Sequence, residues 1–171
     1  SDTESYVPSR ATSGVTPTCN FIELSDGRIL SVFIGGDSYF NTIYGRWSFD
    51  GFNFSDPLAL KVSGSTAHKI SSVSVVEDFN NRLHMFYSFN LYGTTYQLMH
   101  SYSDNFGVSW STDYQISYSS SASTGSIEHP FGFCDINNDV YCFFEETPQG
   151  ATNPRICYYV AQPDIYIGDY F

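Results

Sequence analysis

Three stretches of the chain share one pattern: an apolar run, a polar turn and a second apolar run. They are FIELSDGRILSVFI at 21–34, SVSVVEDFNNRLHMFYSF at 72–89 and FGFCDINNDVYCFFEE at 131–146. The turns centre on Asp26-Gly27, Asn80-Asn81 and Asn137-Asn138, roughly 55 residues apart. Such pairs supply the positive φ that tight hairpins require. A repeat of this length constrains the fold more than any single motif, because each unit must be one supersecondary element stacked on the next. After each hairpin a polar stretch leads to a third strand, NTIYGRWSF, TTYQLMHSY or PRICYYVA. The first two continue through another turn into a short fourth strand, LALKV or YQISYS. Four antiparallel strands in about 50 residues is the content of a propeller blade. The expected fold class is therefore all-β, with β-propeller-type blades of four antiparallel strands. About three blades fit in this chain, at approximately 16–65, 66–121 and 122–171. The third unit ends without a clear fourth-strand turn. A blade leaves apolar faces open until neighbours stack on them. Three blades are too few to close a ring, so the chain reads as a partial propeller or one completed by an oligomer or by the remainder of a longer chain. Residues 1–15 read as a polar leading arm, either flexible or supplying a strand to a neighbouring blade. A jelly roll is the competing fold, but it leaves the phased turns unexplained.

The turns that follow the third strands are SFDGFNF at 48–54 and SDNFGVSW at 103–110. The second resembles the Asp-box of the sialidase-like (BNR-repeat) propellers, S-x-D-x-G-x-T-W. Ser103, Gly107, Ser109 and Trp110 match, and Asn105 stands in the aspartate position. SFDGFNF is similar to a shortened form, with Ser48, Asp50, Gly51 and Phe54. The physical basis is local. Ser and Asp or Asn side chains bond backbone groups of the turn, Gly takes a conformation other residues resist, and the aromatic ring buries itself between sheets. These residues read as structural, and Phe54 is expected to be a buried ring.

The balance of 7 basic against 18 acidic residues gives a net charge of −11. Phosphate contacts need Lys and Arg, so nucleic acid is excluded as an expected partner. No apolar run approaches the roughly 20 residues of a membrane span, so membrane insertion is not expected. Low Lys and abundant Ser, Thr, Tyr and Asn suggest an extracellular, secreted or viral-surface setting. The four cysteines include no C-x-x-C pair, and neither His68 nor His129 has metal-ligand spacing, so no metal or other cofactor is expected. Cys134 and Cys142 flank a hairpin turn; they could pair as a disulfide or remain buried thiols. Asn53-Phe54-Ser55 fits the glycosylation sequon.

The resemblance also orients the search for a ligand. In such blades the strand 1–2 and 3–4 turns share one face. The family's ligand sits on the other, near the axis, among the strand 2–3 loops and the connections between blades. Here those segments are rich in Tyr rings for stacking on sugars and in side-chain amides and carboxylates for hydroxyl groups. The candidate ligand-binding residues are Asp37, Tyr39, Asn41, His68, Lys69, Asn90, Tyr92, Thr94, Glu128, His129, Glu146, Gln149 and Arg155. Each taken singly also reads as an ordinary solvent-facing loop residue. Sialidase chemistry would imply three arginines on a carboxylate, a Tyr nucleophile with a Glu partner, and an Asp acid/base. Of the five arginines, Arg28 and Arg82 fall at hairpin turns on the wrong face, Arg10 in the leading arm and Arg46 on a third strand. Only Arg155 is near the rim, so the triad is incomplete. Paired carboxylates support glycoside hydrolysis more generally. Glu128, Glu145 and Asp37 are the candidates, whereas adjacent Glu145 and Glu146 point to opposite faces of a strand.

The sequence thus supports a glycan-recognition module, non-catalytic within this chain, whose partner is a glycan or glycoprotein surface. Two rivals stand beside it. One is a sialidase-like glycoside hydrolase completed by further blades or another subunit. The other is a self-associating structural protein of an extracellular or viral assembly.

Overall fold

A computed structural model describes residues 19–35, 41–64, 68–90, 95–116, 126–148 and 150–161. The leading arm lies outside the described residues, as do Asp37, Tyr39, Tyr92, Thr94 and Gln149. Among the described residues there is no helix.

The described residues form eleven strands in three antiparallel sheets. The first is β1 (Cys19–Glu23), β2 (Ile29–Gly35), β3 (Thr42–Ser48) and β4 (Leu58–Val62), paired in that order. The second is β5 (Ile70–Glu77), β6 (Leu83–Asn90), β7 (Tyr96–Ser103) and β8 (Tyr114–Gln115), again in order. The third is β9 (Ser126–Cys134), β10 (Val140–Thr147) and β11 (Arg155–Ala161). Each sheet is one blade with its strands in chain order. The first strands β1, β5 and β9 lie side by side, which stacks the blades in sequence.

The three hairpins close in the same way. Leu24, Asp78 and Asp135 each donate a backbone N–H to the carbonyl four residues on, and each accepts from the N–H three residues on. Gly27, Asn81 and Asn138 occupy the left-handed position at φ 84°, 65° and 69°. This is a type I turn followed by a left-handed residue, a common three-residue hairpin loop. In the second and third turns the aspartate Oδ1 accepts the N–H groups two and four residues on, Asn80 and Arg82 for Asp78, Asn137 and Asp139 for Asp135.

Two apolar layers separate the blades. Leu30, Val32, Ile34 and Ile43 of the first blade pack against Val73, Val75, Leu83, Met85 and Tyr87 of the second. Phe86 and Leu98 of the second pack against Ile127, Val140, Cys142 and Ala161 of the third. The middle blade is sandwiched, and β6 is buried on both faces.

All four cysteines are free. The disulfide alternative fails on register: Cys134 stands opposite Val140, and Cys142 opposite Gly132. The two are offset by one pleat rather than facing each other. Phe54 is also not a buried ring. It is half-buried, edge-on to Phe21 at 6.3 Å, because among the described residues no sheet covers that face of the first blade.

Candidate functional site

One end of the molecule is occupied by turns that are tied to themselves. Ser48 Oγ accepts the N–H of Gly51 at 2.9 Å, and Asp50 Oδ1 accepts those of Phe52 and Asn53 at 2.8 and 2.7 Å. Four charge-seeking donors hold the Asp50 carboxyl far below the usual carboxylate range, the Asn53 backbone first among them. The Asn53 amide is itself bound to Asp50 Oδ2. In the second blade Ser103 Oγ accepts from Gly107 N and Asn105 Oδ1 from Ser109 N, both at 2.9 Å. Gly51 and Gly107 have φ 76° and 85°. Trp110 is half-buried against the core of the first two blades and donates to the Gly107 carbonyl at 3.0 Å. The strand 1–2 and 3–4 turns share this end: Arg82 pairs with Asp104 at 2.6 Å, and the Arg28 guanidinium stacks over Phe106.

The opposite end collects most of the described candidates. Asn90 is the last residue of β6, pairs across the sheet with Tyr96, and donates its N–H to the Lys69 carbonyl. It is 6% exposed rather than loop-borne, and its Oδ1 has no partner. Two more unpartnered buried hydroxyls lie at this end of the blade, Ser71 Oγ beside a bulge in β5 and Thr95 Oγ1 before β7. Burial raises the pKa of the Tyr96 phenol, the nearby Glu128 charge adds to this, and a hydrogen bond with Asn90 opposes it. Glu128 comes from β9 of the next blade and accepts from Ser126 Oγ at 3.0 Å. The pair Asn90 and Glu128 is thus joined through a residue, Tyr96, that the sequence did not single out.

A bulge shapes the third blade's part of the rim. The register between β9 and β10 shifts where His129 and Pro130 face Phe144. His129 has φ 53°, a left-handed conformation that costs a non-Gly residue roughly 1–3 kcal/mol and recurs at binding sites. The bulge puts Glu128 opposite Glu145 in register, and His129 Nδ1 lies 3.2 Å from Glu145 Oε2. The His129 N–H donates to Ser72 Oγ across the seam. Glu146, on the other face of β10, accepts from Arg155 Nε at 2.8 Å and from Cys157 Sγ. Arg155 is therefore neutralised locally rather than aimed at the Asn90–Tyr96–Glu128 group. His68 is edge-on to Phe89, with its carbonyl bound by Ser63 Oγ, and Asn41 Oδ1 accepts from Thr42 Oγ1.

A second polar group lies inside the protein. Asp78 Oδ2 is 3.5 Å from His84 Nε2, and His84 Nδ1 is 3.1 Å from His100 Nε2. The rings of Phe86, His100 and His84 stack in a row. Burial lowers the pKa of both histidines, that of His100 to about 3, so both stay neutral. Sequence reasoning missed this group because β6 and β7 are buried on both sides of their register, and a buried His there looks like any apolar strand residue.

No family model matches the chain, and no curated protein does. Solved structures do match. A protein of unknown function from Dyadobacter fermentans superposes with a TM-score of 0.56 at 16% identity, over 84% of this chain and 41% of its own. A thermostable family-43 glycoside hydrolase gives 0.59 at 12% identity, over 91% and 56%. An endo-arabinase from Bacteroides thetaiotaomicron gives 0.58 at 15% identity, over 96% and 61%. The fold is that of a β-propeller. At these identities the likeness is one of fold, and the chain spans less than two thirds of each of these neighbours.

Proposed function

We propose that this chain is a glycan-recognising propeller module whose ligand sits on the rim between the second and third blades. The observation that carries the reading is the unpartnered, buried Asn90 Oδ1 beside Tyr96 and Glu128. A buried polar atom without a partner costs roughly 1–3 kcal/mol, and a sugar hydroxyl donating to it would remove that cost. A carboxylate and a phenol alongside are the groups that grip vicinal hydroxyls. The fold neighbours include a glycoside hydrolase and an arabinase, which supports a carbohydrate ligand. The finer reading, a sialidase-like recognition module, rests on the Ser103–Trp110 and Ser48–Phe54 turns, and its extracellular, secreted or viral-surface setting on the low Lys and abundant Ser, Thr, Tyr and Asn.

The test is a glycan array followed by titration calorimetry on the wild type and on Asn90→Ala and Glu128→Gln. Each variant should weaken binding of a hit at least tenfold while the thermal transition stays within a few degrees. Unchanged affinity in both variants would place the ligand elsewhere.

A catalytic reading is favoured by one observation, the His129 bulge that brings Glu128 opposite Glu145. Hydrolysis of chromogenic glycosides, lost in both Glu128→Gln and Glu145→Gln, would establish it. Binding without turnover would establish the recognition reading.

A further inference from the structure

The two seams between blades share three equivalent positions. Aligned by their turns, Leu24, Asp78 and Asp135 are equivalent positions. Four residues before them stand Asn20, Ser74 and Phe131. Asn20 Oδ1 accepts the N–H of Val75 in the next blade at 2.9 Å, and Ser74 Oγ accepts that of Gly132 at 3.0 Å. The residue after each aligned position donates the other way round the seam. Ser25 N–H reaches Glu77 Oε2 at 2.7 Å, and Phe79 N–H reaches Asn138 Oδ1 at 2.6 Å. Each seam therefore joins the downstream face of one blade to the upstream face of the next, with the first acceptor and both donors at equivalent positions; the second acceptor differs, Glu77 standing one residue before the aligned position and Asn138 three after it.

The two outermost faces carry the matching halves of a third seam. On the upstream face of the first blade, Glu23 holds the position that Glu77 holds in the second, and it is exposed. Beside it Phe21 is 60% exposed, with the stacked rings of Phe33 and Tyr44 on the same face of the sheet. On the downstream face of the third blade, Ile136 holds the donor position of Ser25 and Phe79 and is exposed. Next to it a ladder of Phe131, Phe133, Tyr141, Phe143 and Tyr158 covers one face of the sheet. Phe131 is 61% exposed and stands where the acceptors Asn20 and Ser74 stand in the other blades. A contiguous exposed apolar face of this kind marks an interaction surface.

We propose that a second copy of this chain covers both faces head to tail, so that two copies close a ring through two equivalent seams. In each new seam Phe131 of one copy meets Phe21 of the other, replacing the side-chain-to-backbone bond of the internal seams with a ring contact. The Ile136 N–H of one copy donates to the Glu23 carboxylate of the other, as Ser25 does to Glu77. The occupant is a second copy because the face and counter-face are both present on one molecule, with Phe131, Phe21 and Ile136 at the positions that meet in both seams already formed and Glu23 at the acceptor position of the first. Contacts of unlike faces close into rings or run into filaments; a pair closes when both seams form at once.

Light scattering coupled to gel filtration tests this. The wild type should elute at twice the 19.2 kDa of one chain, with a mass that does not change over a hundredfold range of concentration. Phe21→Asp and Phe131→Asp, both on exposed positions, should each give monomers with unchanged circular dichroism. Mixed in equal amounts they should re-associate, because one intact face of each kind remains. Wild type that is monomeric throughout overturns the proposal. So does a mass that climbs without limit, which would mean an open filament. Retention of the dimer in either single variant would mean a seam built elsewhere.

Discussion

Lowering the pH should loosen the junction between the second and third blades, and the magnitude follows from His100. Its ring lies between Phe86 and His84, 8% exposed, with Tyr159 of the third blade nearby. Burial lowers its pKa to about 3, and His84 and Arg82 push the same way. Asp78, 3.5 Å from His84 Nε2, opposes the lowering at His84. A histidine depressed in the folded state contributes stability that is fully present above its unfolded pKa of about 6.5. That stability is lost as pH falls, because the unfolded chain takes up the proton and the folded chain does not. The loss runs at about 1.4 kcal/mol per pH unit. Between pH 7 and pH 5 His100 alone removes about 2 kcal/mol, and the lowered pKa of His84 adds in the same direction. Urea unfolding monitored through the two tryptophans, Trp47 and Trp110, reads this directly. His100→Gln keeps an N–H for His84 Nδ1 and cannot titrate, so its stability should fall by about 2 kcal/mol less over the same interval. The carboxylates whose pKa is lowered, such as Asp26 beside Arg28, lose their contribution at lower pH and do not confuse the window. Equal pH slopes for wild type and His100→Gln would refute the reasoning.

Two further changes probe the packing. Gly132→Ala would bring a Cβ within 3.1 Å of Phe86 Cδ2 and Val76 Cγ1 at the second seam, and should cost about 1–3 kcal/mol by overpacking, measured by urea unfolding. Ser103→Ala removes the acceptor of Gly107 N and the donor to Asn105. It should cost about 1–2 kcal/mol and raise amide exchange at Gly107 more than elsewhere.

The blade architecture was legible because it is written in local chemistry. Asn81, Asn138 and Gly27 stand at positive φ, and the strand runs around them have little freedom to pair otherwise. Among the described residues the third blade has three strands, and the sequence shows no clear turn after the third. Other features depend on distant residues and left no local signal. The His129 bulge is set by the pairing of β9 with β10, not by the dipeptide His-Pro. Asn90 looked like a loop residue but is a strand end pinned by Lys69. Tyr96 was hidden among fourteen tyrosines. His84 lies in the run LHMFYSF, where burial on both faces erases the alternation that reveals which side chains meet.

The self-tied turns at one end have a consequence for the other. Hairpin register in all three blades is fixed by bonds within the turns, and none of those bonds involves the connections between β2 and β3, β6 and β7, or β10 and β11. Lengthening such a connection costs only about 0.6 kcal/mol for each doubling. The molecule is therefore built as a frame: one edge sets the geometry, and the connections at the facing edge can change length without retuning the sheets.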